Sequence, residues 1–434
     1  MATETLTQGG VTPDASQLAK NNRRRMALTA YMYILPAALI MAFMTLWPLI
    51  YQFWMSFTNY SNRNLRTDSL IGQMVGTFTG NLETYNSPSF VGVQNYIDTI
   101  FGQLAGVLSG YDFWRILLFN LVWTAVNLVF HVGLGVVIAL ILNQKGLWLR
   151  PVYRSLFIIP WAMPALVSAM IWRNMFDDVS GAVNRLIGGL GGPGNTRWLQ
   201  QLDPPFPYIP PFVRVQEAGN PFFWMLVMLL LFITPFFIQR FRGWGWKAWL
   251  GWLVLLQAIF LVVPPLISPL PGQAAVYGMG QLFPLSFYAV LTANIWLGWP
   301  FMMAVATGGL QSIPGDLYEA AAVDGATWWS KFWSITVPLL RPAMIPAIII
   351  GMTMTFNQFN VIYVISGGGP LHQTEILVTQ AYRLVNDTTV NLAGVGNVRP
   401  YGIAAAFAYI VFVVLAVITL ITNRYSRATA AVTE

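Results

Sequence analysis

Long apolar runs separated by short charged clusters dominate the chain. Stretches free of Asp, Glu, Lys and Arg cover Met26–Asn62, Ile116–Gln144, Ser155–Trp172, Ala218–Gln239, Ala248–Gly315, Pro342–Thr374 and Pro400–Asn423. A helix rising about 1.5 Å per residue needs about 20 apolar residues to cross the hydrocarbon of a bilayer. The stretch after Lys247 is long enough for two crossings, and the Pro/Gly-rich PPLISPLPGQAAVYGMGQLFP at 264–284 breaks it in the middle. The pattern predicts an all-α polytopic transmembrane bundle of about eight spans, at 29–52, 116–141, 153–174, 222–240, 248–267, 286–309, 342–365 and 402–422.

Composition supports the membrane class. Of 434 residues, 56% are hydrophobic and 9% charged, against about 25% charged in a soluble domain. There is no cysteine, so no disulfide or thiolate chemistry. The two histidines, His131 and His372, lie far apart in sequence, and no metal site is expected. The net charge of +7 needs no nucleic-acid partner, because membrane proteins collect Lys and Arg on cytoplasmic loops.

Threading the spans alternately tests their number. NNRRR precedes an apolar run longer than the core of a signal peptide, which predicts a retained first span with its N-terminus inside. The inside segments then hold Lys20, Arg23, Arg24 and Arg25; Lys145, Arg150 and Arg154; Arg240, Arg242 and Lys247; Lys331 and Arg341; and Arg424 and Arg427. Every short inside loop is basic, as the positive-inside bias requires, and both termini fall in the cytoplasm. Dropping one span would put the C-terminal NRYSR outside. Three longer outside connections, 58–113, 175–221 and 367–400, read as loops rich in Gly, Pro, Asn and Thr. The expected organisation is a tail at 1–28, the first span and outer loop at 29–114, core spans two and three at 115–199, an outer loop with a hairpin of spans at 200–285, a core at 286–424, and a tail at 425–434.

One segment interrupts the apolar pattern on the inside face. LQSIPGDLYEAAAVDGATWWSKFWSITVPLLRP, following Gly309, carries Asp316, Glu319, Asp324, Lys331 and Arg341 among aromatic residues. Asp316 with Glu319 three residues on predicts a capping box. Gly325 predicts the left-handed end of a short helix. Thr327 predicts the cap of a second, WWSKFWSI, with Pro338 and Pro342 marking the return into the next span. An interfacial anchor is the plainer reading, but such anchors carry basic faces. The first helix has three acids and no base, which favours docking to a protein.

EAAAVDG followed by ITVP resembles the EAA loop of ABC importer permeases: Glu-Ala-Ala, three residues, Gly, nine residues, then Ile-x-Leu-Pro. The matching positions are Glu319, Ala320, Ala321, Gly325, Ile335 and Pro338, with Asp324 beside the glycine and Val337 in the leucine place. IWLGWPFMMAVATGGLQSIPGDLYEAAAVDGA, NQFNVIYVISGGGP, LNQKGLWLRPVYRSLFIIPWAMPALVSAMIW and YGIAAAFAYIVFVVLA extend the likeness to the maltose-permease (MalF) type over most of 115–198 and 286–424.

The resemblance implies a type I ABC importer permease fold, with 314–340 as the coupling loop that docks into an ATPase subunit. It implies a second homologous permease, an ATP-binding subunit dimer holding ATP and Mg, an extracytoplasmic sugar-binding protein, and a place in a bacterial or archaeal cytoplasmic membrane. It implies sugar contacts at Asn294, Gly298, Phe301, Gly351, Met354, Thr355 and Gln358. Phe301 stands where the family pattern has Tyr, and Met354 and Thr355 where it has an aromatic and an amide. Maltose or maltodextrin is the first expectation, with trehalose or another oligosaccharide as alternatives. The pair of spans at 222–267 departs from the usual six-span pattern.

The residues themselves agree with such a subunit. No G-x-x-x-x-G-K-[ST] phosphate loop occurs, and no catalytic constellation, so no enzyme activity is expected. The predicted span interiors lack Asp, Glu, Lys and Arg, whereas ion-coupled carriers place ionisable groups there. A secondary carrier or channel for a small polar solute, working without an ATPase, is the rival class. Amides on two neighbouring spans suit sugar hydroxyls, but each could equally bond between helices. Asn127 and His131 share one helix face and read as interhelical bonding or pore lining. Arg115 and Arg173 read as snorkelling at outer span ends, and the glycines of SGGGP as a tight outer turn.

Overall fold

The computed structural model describes residues 15–65, 69–83, 86–101, 111–144, 146–202, 209–215, 219–237, 245–267, 275–386, 390–392 and 396–430. Lys145, Arg240 and Arg242, assigned above to inside loops, lie outside the described residues, as does 268–274 of the Pro/Gly break.

Helix α1 (Ala15–Ser56) is followed by α2 (Leu70–Thr79), α3 (Gln94–Ile100), α4 (Phe113–Leu142), α5 (Arg150–Ala162), α6 (Ala165–Met175) and α7 (Ala182–Gly189). Strand β1 (Phe212–Val215) precedes α8 (Pro221–Phe237) and α9 (Trp246–Ile267), and β2 (Ala275–Gly278) pairs antiparallel with β1. Then come α10 (Leu285–Gln311), α11 (Gly315–Val323), α12 (Trp328–Lys331), a π-helical turn at Phe332–Thr336, α13 (Val337–Phe356), α14 (Phe359–Ser366) and α15 (Leu377–Asn386). Two three-residue strands, β3 (Val390–Leu392) and β4 (Gly396–Val398), lead into α16 (Tyr401–Ala430).

Among the described residues, five helices are long and apolar enough to cross a membrane: Arg23–Ser56, Phe113–Leu142, Leu285–Gln311, Trp328–Ser366 and Tyr401–Asn423. This differs from the eight straight spans expected, for two reasons. The third predicted span is two helices, α5 and α6, bent by 89°, because Pro164 disfavours helix at Met163 before it. Met163 is extended (φ −76°, ψ 141°). In the hairpin, the apolar stretches Pro221–Pro235 and Lys247–Val263 are shorter than the other five. The connections expected outside also hold more order than loops: α2, α3, α7, α15, β1 and the β3–β4 pair lie in them, and β2 lies in the Pro/Gly break.

The core sits around α4 and α10, which pack along each other. One apolar cluster, centred on Phe119, Trp123, Phe287 and Phe407, takes in Met225 and Met228 of α8. The hairpin is therefore built into the core. Asp112 ties it there: the carboxylate caps α4 by accepting from the Arg115 N–H (3.1 Å) and also accepts from Asn220 Nδ2 at the start of α8 (3.0 Å). A second cluster, around Met302, Met303, Leu340 and Met344, joins α10 to α13 towards the α11 end.

Arg115 does not snorkel. It is 9% exposed, and its guanidinium donates to the carbonyls of His372 (2.9 Å) and Gln373 (3.1 Å). The SGGGP glycines do form a tight turn, with Gly367 and Gly368 at φ +60° and +80°.

Candidate functional site: a central cavity and a protruding helix

Helix α13 stops at Phe356, in the interior of the long apolar stretch Trp328–Ser366. Asn357 and Gln358 break it, and α14 restarts at Phe359. A broken helix frees backbone carbonyls, which in an apolar setting must find partners. Helix α4 supplies them. Trp123 Nε1 donates to the Thr355 carbonyl (3.3 Å), and Asn120 Nδ2 donates to that of Phe356 (3.2 Å). Asn120 Oδ1 also accepts from the Leu377 N–H (2.8 Å), so one amide holds both the break and the start of α15.

A second polar group faces this break from α10. Gly298 is the middle residue of this 27-residue helix. One turn earlier, Asn294 donates through Nδ2 to Asn127 Oδ1 (2.8 Å), while Asn127 Nδ2 is held by the Trp123 carbonyl (2.8 Å). His131 Nε2 lies 2.9 Å from the Asn294 carbonyl. Asn127, His131 and Asn294 are all buried. Gly298 has to be small here, since a Cβ would run into the His131 ring.

Between these groups lies a cavity of about 340 Å³, lined by His131, Trp161, Met163, Ala165, Asn294, Leu297, Gly298, Phe301, Met302, Gly351, Met354, Thr355 and Gln358. It contains all seven residues expected as substrate contacts. The α5–α6 bend opens its wall, placing Trp161 and Ala165 on either side of Met163. The Trp161 ring stacks on Phe301, with centroids 6.0 Å apart. Met354 is 56% exposed, so the cavity opens on that side to whatever adjoins the chain. Aromatic faces with amide, hydroxyl and imidazole groups suit a polar ligand with apolar faces.

Reading the sequence missed Trp161, Met163, Ala165, Leu297 and Met302. The PWAMPA proline pair at Pro160 and Pro164 was the available signal for the bend. Asn127 and His131 do bond between helices, as read, and His131 lines the cavity as well.

At one end of the bundle α11 protrudes, with none of its residues buried. Its start differs from the predicted capping box: the N-cap is Pro314, no side chain caps it, and Asp316 lies in the first turn. An acid there still complements the helix dipole. Gly325 follows the helix at φ +76°, as predicted, and Thr327 Oγ1 accepts from the Ser330 N–H (3.3 Å). Glu319, Ala320 and Ala321 lie on α11, with Asp324 at its C-cap.

Beyond the turn, WWSKFWSI is not a separate helix. It runs unbroken through the π-helical turn, which holds Ile335, into α13, which holds Pro338 and Pro342. Pro338 sits near the start of α13, where its missing N–H costs least. One continuous rod thus joins the α11 end to the cavity.

Residues 131–429 match the family of binding-protein-dependent transport system inner membrane components. The chain belongs to this family. It begins at His131 and takes in the cavity and α11 together. As an inner membrane component the chain is a multi-pass membrane protein, the permease part of an ABC importer, whose ATPase is a separate subunit.

It is 26% identical over 406 residues to the maltodextrin transport system permease protein MdxF of Bacillus subtilis, covering 92% of this chain and 69% of that one. It is likewise 26% identical over 414 residues to the trehalose/maltose transport system permease protein MalF of Thermococcus litoralis, covering 95% and 98%. Among solved structures, a chain of a bacterial ABC transporter importing the acidic polysaccharide alginate superposes with a TM-score of 0.54 at 18% identity, covering 95% of this chain and 99% of that chain. That likeness carries the fold.

Proposed function

We propose that the chain passes a neutral oligosaccharide of the maltose or maltodextrin class through the central cavity, driven by ATP hydrolysis in a separate pair of subunits that grip α11. The observation that carries this reading is the cavity itself. At the middle of α10 it offers amide, hydroxyl and aromatic groups and, among the described residues, no carboxylate, ammonium or guanidinium. Its lining suits hydroxyls and sugar ring faces, and gives an acidic polysaccharide no counter-charge.

The relatives named for maltodextrin and for trehalose/maltose transport support the neutral class. A second homologous permease would close the open side at Met354, and an extracytoplasmic binding protein would deliver the sugar. Glu319, Ala320, Ala321, Asp324, Gly325, Ile335 and Pro338 form the coupling element, ATP and Mg binding in the ATPase subunits. Both termini and α11 face the cytoplasm, consistent with the basic inside loops.

The test is reconstitution with the partner permease, ATPase and binding protein in liposomes. Radiolabelled maltose should accumulate only with ATP on the α11 side and the binding protein on the other. Accumulation driven by an ion gradient without the ATPase would place the chain among secondary carriers instead.

A further inference from the structure

We infer that His131 is a specificity-determining contact of the transported sugar, accepting a hydrogen bond from one sugar hydroxyl through Nδ1. The inference rests on the sugar reading above and assigns a role to a residue outside the seven expected contacts. His131 stands on α4, while the expected contacts are all on α10, α13 and the break after it.

A backbone carbonyl only accepts, so at 2.9 Å from the Asn294 carbonyl His131 Nε2 is the donor and carries the hydrogen. In the neutral ring, Nδ1 is then the acceptor. Nδ1 has no partner among the described residues, although the ring lines the cavity. The ring is also fixed. It lies against Gly298, where any Cβ would displace it, and its Nε2 bond anchors it to α10. A fixed acceptor with one committed and one open nitrogen is what a site needs to distinguish a hydroxyl from its absence. Asn294 is organised in the same way, its Nδ2 committed to Asn127. Together the two present adjacent polar groups at the cavity wall.

Two substitutions separate the nitrogens. His131→Gln places an amide near the Nε2 position and keeps donation to the Asn294 carbonyl, but removes the acceptor at Nδ1. His131→Asn places a group near the Nδ1 position and gives up the Nε2 bond. In the reconstituted transporter, uptake of maltose is compared with uptake of maltose analogues in which each hydroxyl in turn is replaced by fluorine. Discrimination by the binding protein is common to all preparations and cancels in the comparison.

The wild type should favour maltose over one analogue by about three- to ten-fold, the worth of a single neutral hydrogen bond. His131→Gln should lose that preference while total uptake persists, and His131→Asn should keep it. The same analogue preferences in His131→Gln as in the wild type would overturn the role of His131. A loss of preference confined to His131→Asn would make the residue a structural brace. Failure of the wild type to take up maltose, maltotriose or trehalose would overturn the sugar reading itself, and the inference with it.

Discussion

The hydroxyls of Tyr318 and Thr336 share a hydrogen bond of 3.0 Å that ties the protruding α11 to the π-helical turn of the rod leading to the cavity. Thr336 is 3% exposed, whereas α11 has no buried residue. The bond is thus a fixed point at the base of an exposed handle. A π turn inside a helix commonly marks a functional site. Here it lies between α11 and α13, where a pull on α11 would enter the span under the proposed coupling.

Tyr318→Phe keeps the ring and deletes the hydroxyl. A single hydrogen bond is worth about 1 kcal/mol, so the protein should insert and assemble normally. Maltose uptake per ATP hydrolysed should fall several-fold while ATPase activity persists. Measuring both rates in the same liposomes checks this, and an unchanged ratio would remove Tyr318 from the coupling path.

Asn120→Leu should be strongly destabilising. The side chain satisfies the Phe356 carbonyl and the Leu377 N–H, both deep in the fold. Each group left unpaired costs about 1–3 kcal/mol. Thermal unfolding of the detergent-solubilised assembly should show a clear drop in melting temperature, larger than for Thr353→Val, whose hydroxyl donates to the Ile349 carbonyl of its own helix.

Gly298→Ala should abolish or sharply reduce uptake, because the added Cβ meets the His131 ring. Combining it with His131→Ala removes the obstruction. The double variant should recover melting temperature relative to Gly298→Ala alone, the non-additivity expected of residues in contact. Strictly additive losses would mean the two positions do not meet.

Arg383→Met isolates a buried charge. Glu375 is 1% exposed and is held by Arg383 Nη1 at 2.9 Å and His372 Nδ1 at 3.0 Å. Removing one partner of a buried ion pair costs about 3–5 kcal/mol. Membrane yield and melting temperature should fall further for Arg383→Met than for the paired Arg383→Met/Glu375→Gln variant.

Part of the cavity was legible because amides and a threonine stand out inside apolar spans, whereas Gly298, Gly351 and Met354 were expected only from the resemblance to MalF-type permeases. Asn294 and Gln358 draw notice wherever a helix has no polar role for them. Gly325 was legible as the left-handed end of a short helix, and its backbone has φ +76°. The Glu375–Arg383–Arg115 region was not legible. The Arg115 guanidinium meets carbonyls 257 and 258 residues away, and nothing local to Arg115 distinguishes that from snorkelling. The straight third span failed on one residue, Met163, whose neighbour Pro164 outweighed a strong apolar pattern. The capping box failed because Pro314 took the cap position before Asp316.

Because the chain contains no cysteine, a single introduced thiol reports one position without background. Glu319→Cys, treated in intact cells with a membrane-impermeant maleimide, should stay unlabelled until the membrane is opened. It should then be protected when the ATPase subunits are bound. Labelling from outside in intact cells would contradict a handle gripped from the cytoplasm.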